Sequence, residues 1–218
     1  TNVLNADAVT VSYTPGTNKT SDIAGNNAVA LVNQGVTNLS PDTTAPAAPS
    51  LDLLAASDSG TSSVDDKTNV VAPTIRVAVN NGSVFTAAVA GDTVALFEGA
   101  TQVGTAVLSA ANITAGFVDI TSSVLASGNR SMTATVTDAF GNVSATSAAL
   151  VIAVDTTAPL LAAASVNAAT VVLTYTEAGV GMAGLTPAAG GFAVTKNGAT
   201  SVGVGTVAVD TVAKTATL

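Results

Sequence analysis

The pentapeptide Asp-Thr-Thr-Ala-Pro occurs twice, at residues 42–46 and 155–159, and each copy follows an Asp-x-x-Gly-Asn string, at 22–26 and 138–142. The residue before a proline is pushed away from helix, and proline has no N–H for a ladder, so each pentapeptide reads as a stiff, non-helical linker. The Asp-x-x-Gly-Asn strings read as turns: Asp bonds its own backbone, and Gly and Asn tolerate positive φ. About 110 residues separate the linkers, and a similar length runs from the second linker through the C-terminus and round to the first. Either interval suits one small β-sandwich. The chain therefore reads as one period of a tandem array, with a structural role.

Composition narrows the class further. Apolar residues make up 48% of the 218, but aromatics are only 3% and Trp is absent. Ala, Val and Leu must fill the core, which suits sheets whose inner faces pack closely. Charged residues are 9%, far below the usual quarter, so Thr, Ser and Asn must carry the solvent side; the branched Cβ of Thr also fits a pleated strand. The net charge of −8 comes from 12 Asp and two Glu against six Lys plus Arg. A nucleic-acid partner needs a basic face and is excluded on that ground. An acidic balance carried by Asp in loops suits cation binding, or simply solubility. There is no Cys, no apolar run long enough to span a membrane, and no signal-peptide pattern at Thr1. Any export signal or anchor is expected elsewhere in a longer parent chain.

Short β-like runs fill residues 47–154, at 49–54, 74–79, 93–98, 102–108, 116–121, 131–137 and 145–154. Alternation is clearest in Thr74-Ile75-Arg76-Val77-Ala78-Val79 and Ser131-Met132-Thr133-Ala134-Thr135-Val136. Breaks at 80–82, 98–99 and 127–129 punctuate them. Seven strands in such a length is an immunoglobulin-like count. Residues 160–218 offer strands near 163–166, 170–176, 191–195 and 201–209 and a strand-like run at 213–218, while residues 1–40 offer 8–13 and 28–37. Neither piece has the strands to cover its own apolar face. Together they make a full set. The expected organisation is all-β: a complete sandwich at 41–159, and a second sandwich split between 160–218 and residues 1–40 of the next copy. The partner is thus an adjacent copy, head to tail, with no membrane insertion in this segment. Leu218 would lead into another copy's Thr1, either covalently in a long array or between separate chains by strand addition, because free half-sandwiches with open edges are an aggregation hazard.

Two sets of residues resemble known repeats. The stretch Ala56-Ser-Asp58-Ser-Gly60-Thr-Ser-Ser-Val-Asp65-Asp66-Lys-Thr68-Asn69, then Ala72-Pro73-Thr74, closing on Thr137-Asp138-Ala-Phe-Gly141-Asn142-Val-Ser144, resembles the bacterial Ig-like repeats of giant secreted adhesins across residues 43–159. The split module, with Ala168-Ala-Thr170-Val-Val-Leu-Thr-Tyr175-Thr-Glu177 and Val9-Thr-Val-Ser-Tyr13, is similar to the repeat of a cyanobacterial cell-surface protein needed for swimming. These resemblances imply a long secreted array on a bacterial surface, commonly exported by type I secretion, with Ca²⁺ held near inter-domain junctions. The terminal ligand-binding module of such adhesins has no counterpart here.

Calcium also follows from the residues. It takes six to eight oxygen ligands, which Asp carboxylates, Asn amides and carbonyls can supply. The first inter-strand loop of an Ig-like sandwich lies at the end where the chain leaves, placing Asp58, Asp65 and Asp66 near Asp155 of the following linker. Asp22 of the succeeding copy would face the same joint from the other side, and Asp42 would lie close to Asp138 at the other joint. Crowded carboxylates repel unless a cation neutralises them. Equally, the Asp-x-x-Gly-Asn strings can be turns and the pentapeptides linkers, with no ion.

Catalytic readings find little support. Without His or Cys, Ser-His-Asp and Cys-His sets and His-based zinc sites are excluded. A glycosidase pair would have to use Glu98 and Glu177, which fall in different modules. Gly179-Val-Gly181-Met-Ala-Gly184 mimics a dinucleotide fingerprint, but Pro187 and Gly190-Gly191 forbid the helix that must follow. The reading is a stalk or filament segment. A non-covalent filament subunit and a module binding glycan or protein through its loops are the alternatives.

Overall fold

The computed structural model describes residues 8–17, 20–38, 40–79, 87–181, 187–198 and 200–218. The expected break at 80–82 and Gly184 lie outside them. Within the described residues the chain is almost entirely strand, turn and extended linker. It opens on an antiparallel hairpin of β1 (Thr10–Tyr13) and β2 (Leu31–Gly35). Eight strands follow: β3 (Ser50–Leu53), β4 (Lys67–Thr68), β5 (Thr74–Ala78), β6 (Thr93–Glu98), β7 (Thr101–Val107), β8 (Phe117–Thr121), β9 (Gly128–Thr137) and β10 (Leu150–Val154). They form a five-stranded sheet, β4-β10-β9-β6-β7, and a three-stranded sheet, β3-β5-β8.

Alternation explains why these two sheets face each other. Ile75 and Val77 on β5, Val94 and Leu96 on β6, Met132, Ala134 and Val136 on β9, and Ile152 and Val154 on β10 are all buried, and their strand neighbours point outward. A period of two places each set on one face, and with Val118, Ile120 and Leu53 they form a single core. Outward-facing Arg76 lies opposite Asp119 in the β5–β8 register and holds it with two bonds of 2.8 Å. Its guanidinium sits 3.7 Å from the Phe117 ring centroid.

The strand pattern departs from expectation in identifiable places. An eighth strand, β4, pairs in parallel with the end of β10. Residues 145–149 are not strand. There the hydroxyls of Ser144 and Ser147 accept the Val136 and Ala134 N–H groups at 2.9 and 3.0 Å, replacing ladder partners. A six-residue helix, α1 (Ala110–Ala115), links β7 to β8. Ser109 caps it reciprocally with Asn112, and Gly116 ends it at φ 81°; Ser-x-x-Asn followed by Gly is the signal for that turn.

The remaining strands are β11 (Leu160–Asn167), β12 (Thr170–Thr176), β13 (Val194–Lys196), β14 (Thr200–Val202), β15 (Ala208–Asp210) and β16 (Thr215–Thr217). The expected strand at 201–209 divides into β14 and β15 around Gly203 and Gly205, which weaken a strand interior. One sheet runs β11-β12-β16-β15, and β13–β14 is a separate hairpin. Every residue of β11 is exposed, as is every residue of β2. Among the described residues outside 43–156, Ala216 alone joins the buried apolar set. Leu160, Leu161 and Val166 on β11, and Val11, Leu31 and Val32 on the first hairpin, stand in solvent.

Gly104 sets how closely the two sheets of the closed sandwich approach. A Cβ there would lie 2.7 Å from Ile120 Cγ2, across the sheets. Gly104→Ala is expected to destabilise the closed sandwich by about 1–3 kcal/mol, the usual cost of overpacking. Urea denaturation measures it as a lower midpoint with an unchanged slope.

Candidate functional site

The first group of acidic residues is organised by Asp58. Its side chain is 5% exposed. Oδ2 accepts the N–H groups of Asp65 and Asp66 at 3.1 and 3.2 Å, and Oδ1 accepts that of Lys67 at 3.2 Å. One carboxylate thus gathers three successive amides and folds residues 58–67 round itself. Asp66 takes the left-handed conformation, φ 55°, and its carbonyl accepts Ala153 N–H at 2.8 Å, leading the chain into β4. Asp65 Oδ2 pairs with Lys67 Nζ at 3.1 Å, while Oδ1 is buried without a partner. Burial raises the Asp66 pKa first, and the charges of Asp58, Asp52 and Asp65 raise it further.

Asp155 lies at the exit of the same end. Its N–H donates to the Thr68 carbonyl at 2.8 Å, immediately beyond the Asp58 loop. Oδ1 accepts Thr157 N–H at 3.0 Å, and Oδ2 accepts Val180 N–H at 2.8 Å. Glu177, 8% exposed, accepts Gly179 N–H at 2.8 Å through Oε1, and Lys214 Nζ donates to its carbonyl at 2.6 Å. Two carboxylates therefore hold two consecutive amides where the linker meets the next sheet. A Cβ on Gly179 would overlap the Asp155 carboxylate, so the joint has room only for glycine. The sequence gives no hint of this role for Glu177, and Glu98, in the other module, is bound to Arg130 at 3.1 Å.

The two Asp-x-x-Gly-Asn turns are near copies. In one, Asp138 Oδ1 accepts Asn142 N–H at 2.8 Å and Oδ2 accepts Asn142 Nδ2 at 2.8 Å; in the other, Asp22 bonds Asn26 at 2.8 and 2.7 Å. Gly141 and Gly25 take φ 89° and 88°. For Asp22 the Asn26 side chain is the main cause of a lowered pKa. For Asp138 burial is the largest influence and pushes upward, but hydrogen bonds from the Asn142 side chain and from the Asn142, Phe140 and Gly141 backbone together outweigh it and hold the carboxyl below its usual range. The turns differ in setting. Asn142 Nδ2 also reaches the Asp42 carbonyl at 3.3 Å, which brings the first linker against the Asp138 turn, whereas residues 20–37 are exposed throughout. Asp42 Oδ1 accepts Thr44 N–H at 2.9 Å, as Asp155 does from Thr157.

Asp92, at the head of β6, was not singled out in the sequence. It is 1% exposed. Oδ2 accepts Val89 N–H at 2.9 Å, and Oδ1 has no partner. Burial raises its pKa, the Val89 bond opposes that, and the Asp138 charge adds to it. A lone Asp between Gly91 and an alternating strand was the available signal.

Asp58, Asp65 and Asp66 thus share one loop that leads to Asp155, Asp42 meets the Asp138 turn, and Asp22 stands apart. Among the described residues no group of three or more Asp or Glu side chains is arranged to hold a metal ion. Most of the carboxylate oxygens are engaged by backbone amides or by Asn and Lys side chains.

A closed two-sheet sandwich followed by an open sheet, joined through acidic turns, is a repeat-module architecture. The chain belongs to the bacterial Ig-like domain family, whose model matches residues 43–156, and residues 154–218 match the model of a flagellar system-associated repeat. Both are repeat domains typical of cell-surface or extracellular proteins, and neither is a catalytic family. No curated protein matches the chain.

Asp58→Ala would strip three half-buried amides of their acceptor. A loss of about 3 kcal/mol is expected, measured by thermal or urea denaturation. Asp92 gives a pH signature. Its folded pKa is raised, so the folded state binds its proton more tightly, and stability is lost as pH rises from 3.8 through the folded value. Asp92→Asn is expected to gain on the parent protein between about pH 3 and about pH 7; denaturation midpoints at the two pH values measure the gain.

Proposed function

We propose that this chain is a structural segment of a bacterial cell-surface adhesin or extracellular filament, and that neighbouring copies complete one another head to tail to form a stalk. The observation that carries the reading is the contrast within one polypeptide. Residues 43–156 close a core between two sheets, while apolar residues on the strands to either side stand in solvent. Burying apolar surface is worth about 25 cal/mol per Å², and isolated hairpins such as β1–β2 and β13–β14 are marginal at best. A neighbour supplying the missing strands satisfies both. Repeats that contact only their neighbours give stability that is roughly additive along the array.

Calcium enters this proposal as an ion shared between copies rather than held by one. Asp22 of the succeeding copy would face Asp155 of the preceding one beside Asp58, Asp65 and Asp66, while Asp42 and Asp138, already neighbours in one copy, would flank the other joint. The ion would replace amide bonds and stiffen the joint against carboxylate repulsion. A strand-exchanged filament of separate subunits is favoured by the same open edges as a covalent array, and the mass of the natural material separates the two. A species near 20.9 kDa means separate subunits, and a far larger chain means the array.

A head-to-tail chain of several copies is expected to scatter as a rod whose length grows linearly with copy number. A flexible or collapsed particle overturns the stalk. Chelation is expected to shorten the persistence of the rod without melting the sandwiches, and an unchanged persistence removes calcium while leaving the stalk.

A further inference from the structure

Apart from β4 and β15, the open strands repeat the pairing of the closed sandwich. In the closed sandwich, β3, β5 and β8 lie side by side with antiparallel pairing throughout. In the open segment β11, β12 and β16 do the same, again beginning with the first strand after a linker. The β6–β7 hairpin falls between β5 and β8 in the chain, and the β13–β14 hairpin falls between β12 and β16. The β9–β10 pair carries the Asp138 turn between its strands, and the β1–β2 pair carries the Asp22 turn. Beside these turns the correspondence extends to isolated bridges, Thr137 with Val143 and Ser21 with Asn27. It also extends to a further amide bond, Ser144 N–H to the Val136 carbonyl at 2.8 Å and Ala28 N–H to the Thr20 carbonyl at 2.7 Å.

One seam of the closed sandwich has no counterpart within a single copy. There β6 pairs with β9, from Thr93 opposite Thr137 to Glu98 opposite Met132, and this joins the two hairpins into one sheet. The equivalents, β13–β14 and β1–β2, are each two-stranded sheets. We infer that the strand of a second copy of this chain that continues from β1 pairs antiparallel with β13, Tyr13 lying opposite Lys196 as Met132 lies opposite Glu98. The result is a sheet ordered β2-β1-β13-β14, packed over β11-β12-β16-β15. This deepens the proposal that neighbouring copies complete one another and rests on it.

The faces fit the pairing. Val194 of β13 and Val202 of β14 are cross-strand partners, and with Val171 and Leu218 they line a small cavity of about 70 Å³. The inner face of that hairpin therefore already looks onto the opposite sheet. Val9, Val11 and Tyr13 alternate along β1 with Thr10 and Ser12, so the incoming strand offers one apolar face at the same period. A second contact fixes the hand of the arrangement. As Asn142 donates through Nδ2 to the carbonyl of Asp42, so Asn26 of the incoming copy donates to the carbonyl of Asp155. The joint at Asp155 is then incomplete until a second copy contributes its turn.

The chain has no cysteine, so engineered thiols read the pairing directly. Full-length chains carrying Thr14→Cys are mixed with chains carrying Thr195→Cys under gentle oxidation, since these positions match Thr133 and Phe97 in the closed seam. Chains carrying Gln102→Cys, on the outer edge of β7, report chance encounters. The Thr14→Cys/Thr195→Cys disulfide is expected at least tenfold faster than either pairing with Gln102→Cys, and Asn26→Ala is expected to slow it several-fold. In the unsubstituted chain, amide exchange at residues 194–196 is expected to slow at least tenfold as concentration rises, a readout free of any effect of the substitutions on folding. Chains that associate by sedimentation without that selectivity or protection overturn the β1–β13 seam and leave completion by neighbours standing. Should the chains fail to associate, and a head-to-tail two-copy chain gain no second cooperative unfolding step, completion itself is overturned.

Discussion

A β-sheet with one apolar face holds its shape only when that face is covered, and this constraint orders the whole chain. Residues 43–156 meet it internally. Ile75, Val77, Val94, Leu96, Met132 and Ile152 are all fully buried between two sheets. The flanking segments are built from the same aliphatic residues, yet Leu160, Leu161 and Val166 lie open. The difference is one of partner strands, not of residue chemistry. Removing such a side chain from water is worth about 1.5–3 kcal/mol. That force has no direction of its own. Direction comes from the strand edges and the turns.

The acidic residues divide the labour at those turns. Asp58 nucleates a loop by taking three amides, Asp138 and Asp22 each close a turn on an asparagine, and Asp155 and Glu177 clasp consecutive amides where one module meets the next. Charged acceptors make stronger hydrogen bonds than neutral ones, so a chain poor in hydrophobic bulk gains rigidity at its joints from electrostatics. The cost is visible at Asp66 and Asp92, whose carboxyls are pushed upward by burial and by neighbouring negative charge.

Much of the β pattern was legible because alternation is a period-two signal that single residues cannot disguise. The run 93–98 matches β6 at both ends, and 74–79 matches β5 within a residue. What was missed depends on side chains standing in for backbone. Ser144 and Ser147 occupy ladder donors and end a strand that composition alone would extend. Two-residue β4 exists because Asp58 and left-handed Asp66 steer the chain beside β10, an effect without any periodicity. The acidic positions were readable as loop residues. Which amides they would bind was not, since Val180 and Asp155 meet only after the chain has folded.

The clasp at Asp155 has a consequence for how such a chain can evolve. Its donors are main-chain N–H groups, which every residue except proline carries, so neighbouring side chains can drift without loosening the grip. Gly179 is the exception, because no side chain fits against the carboxylate. A joint specified by two carboxylates and one glycine leaves the surfaces around it free to diversify.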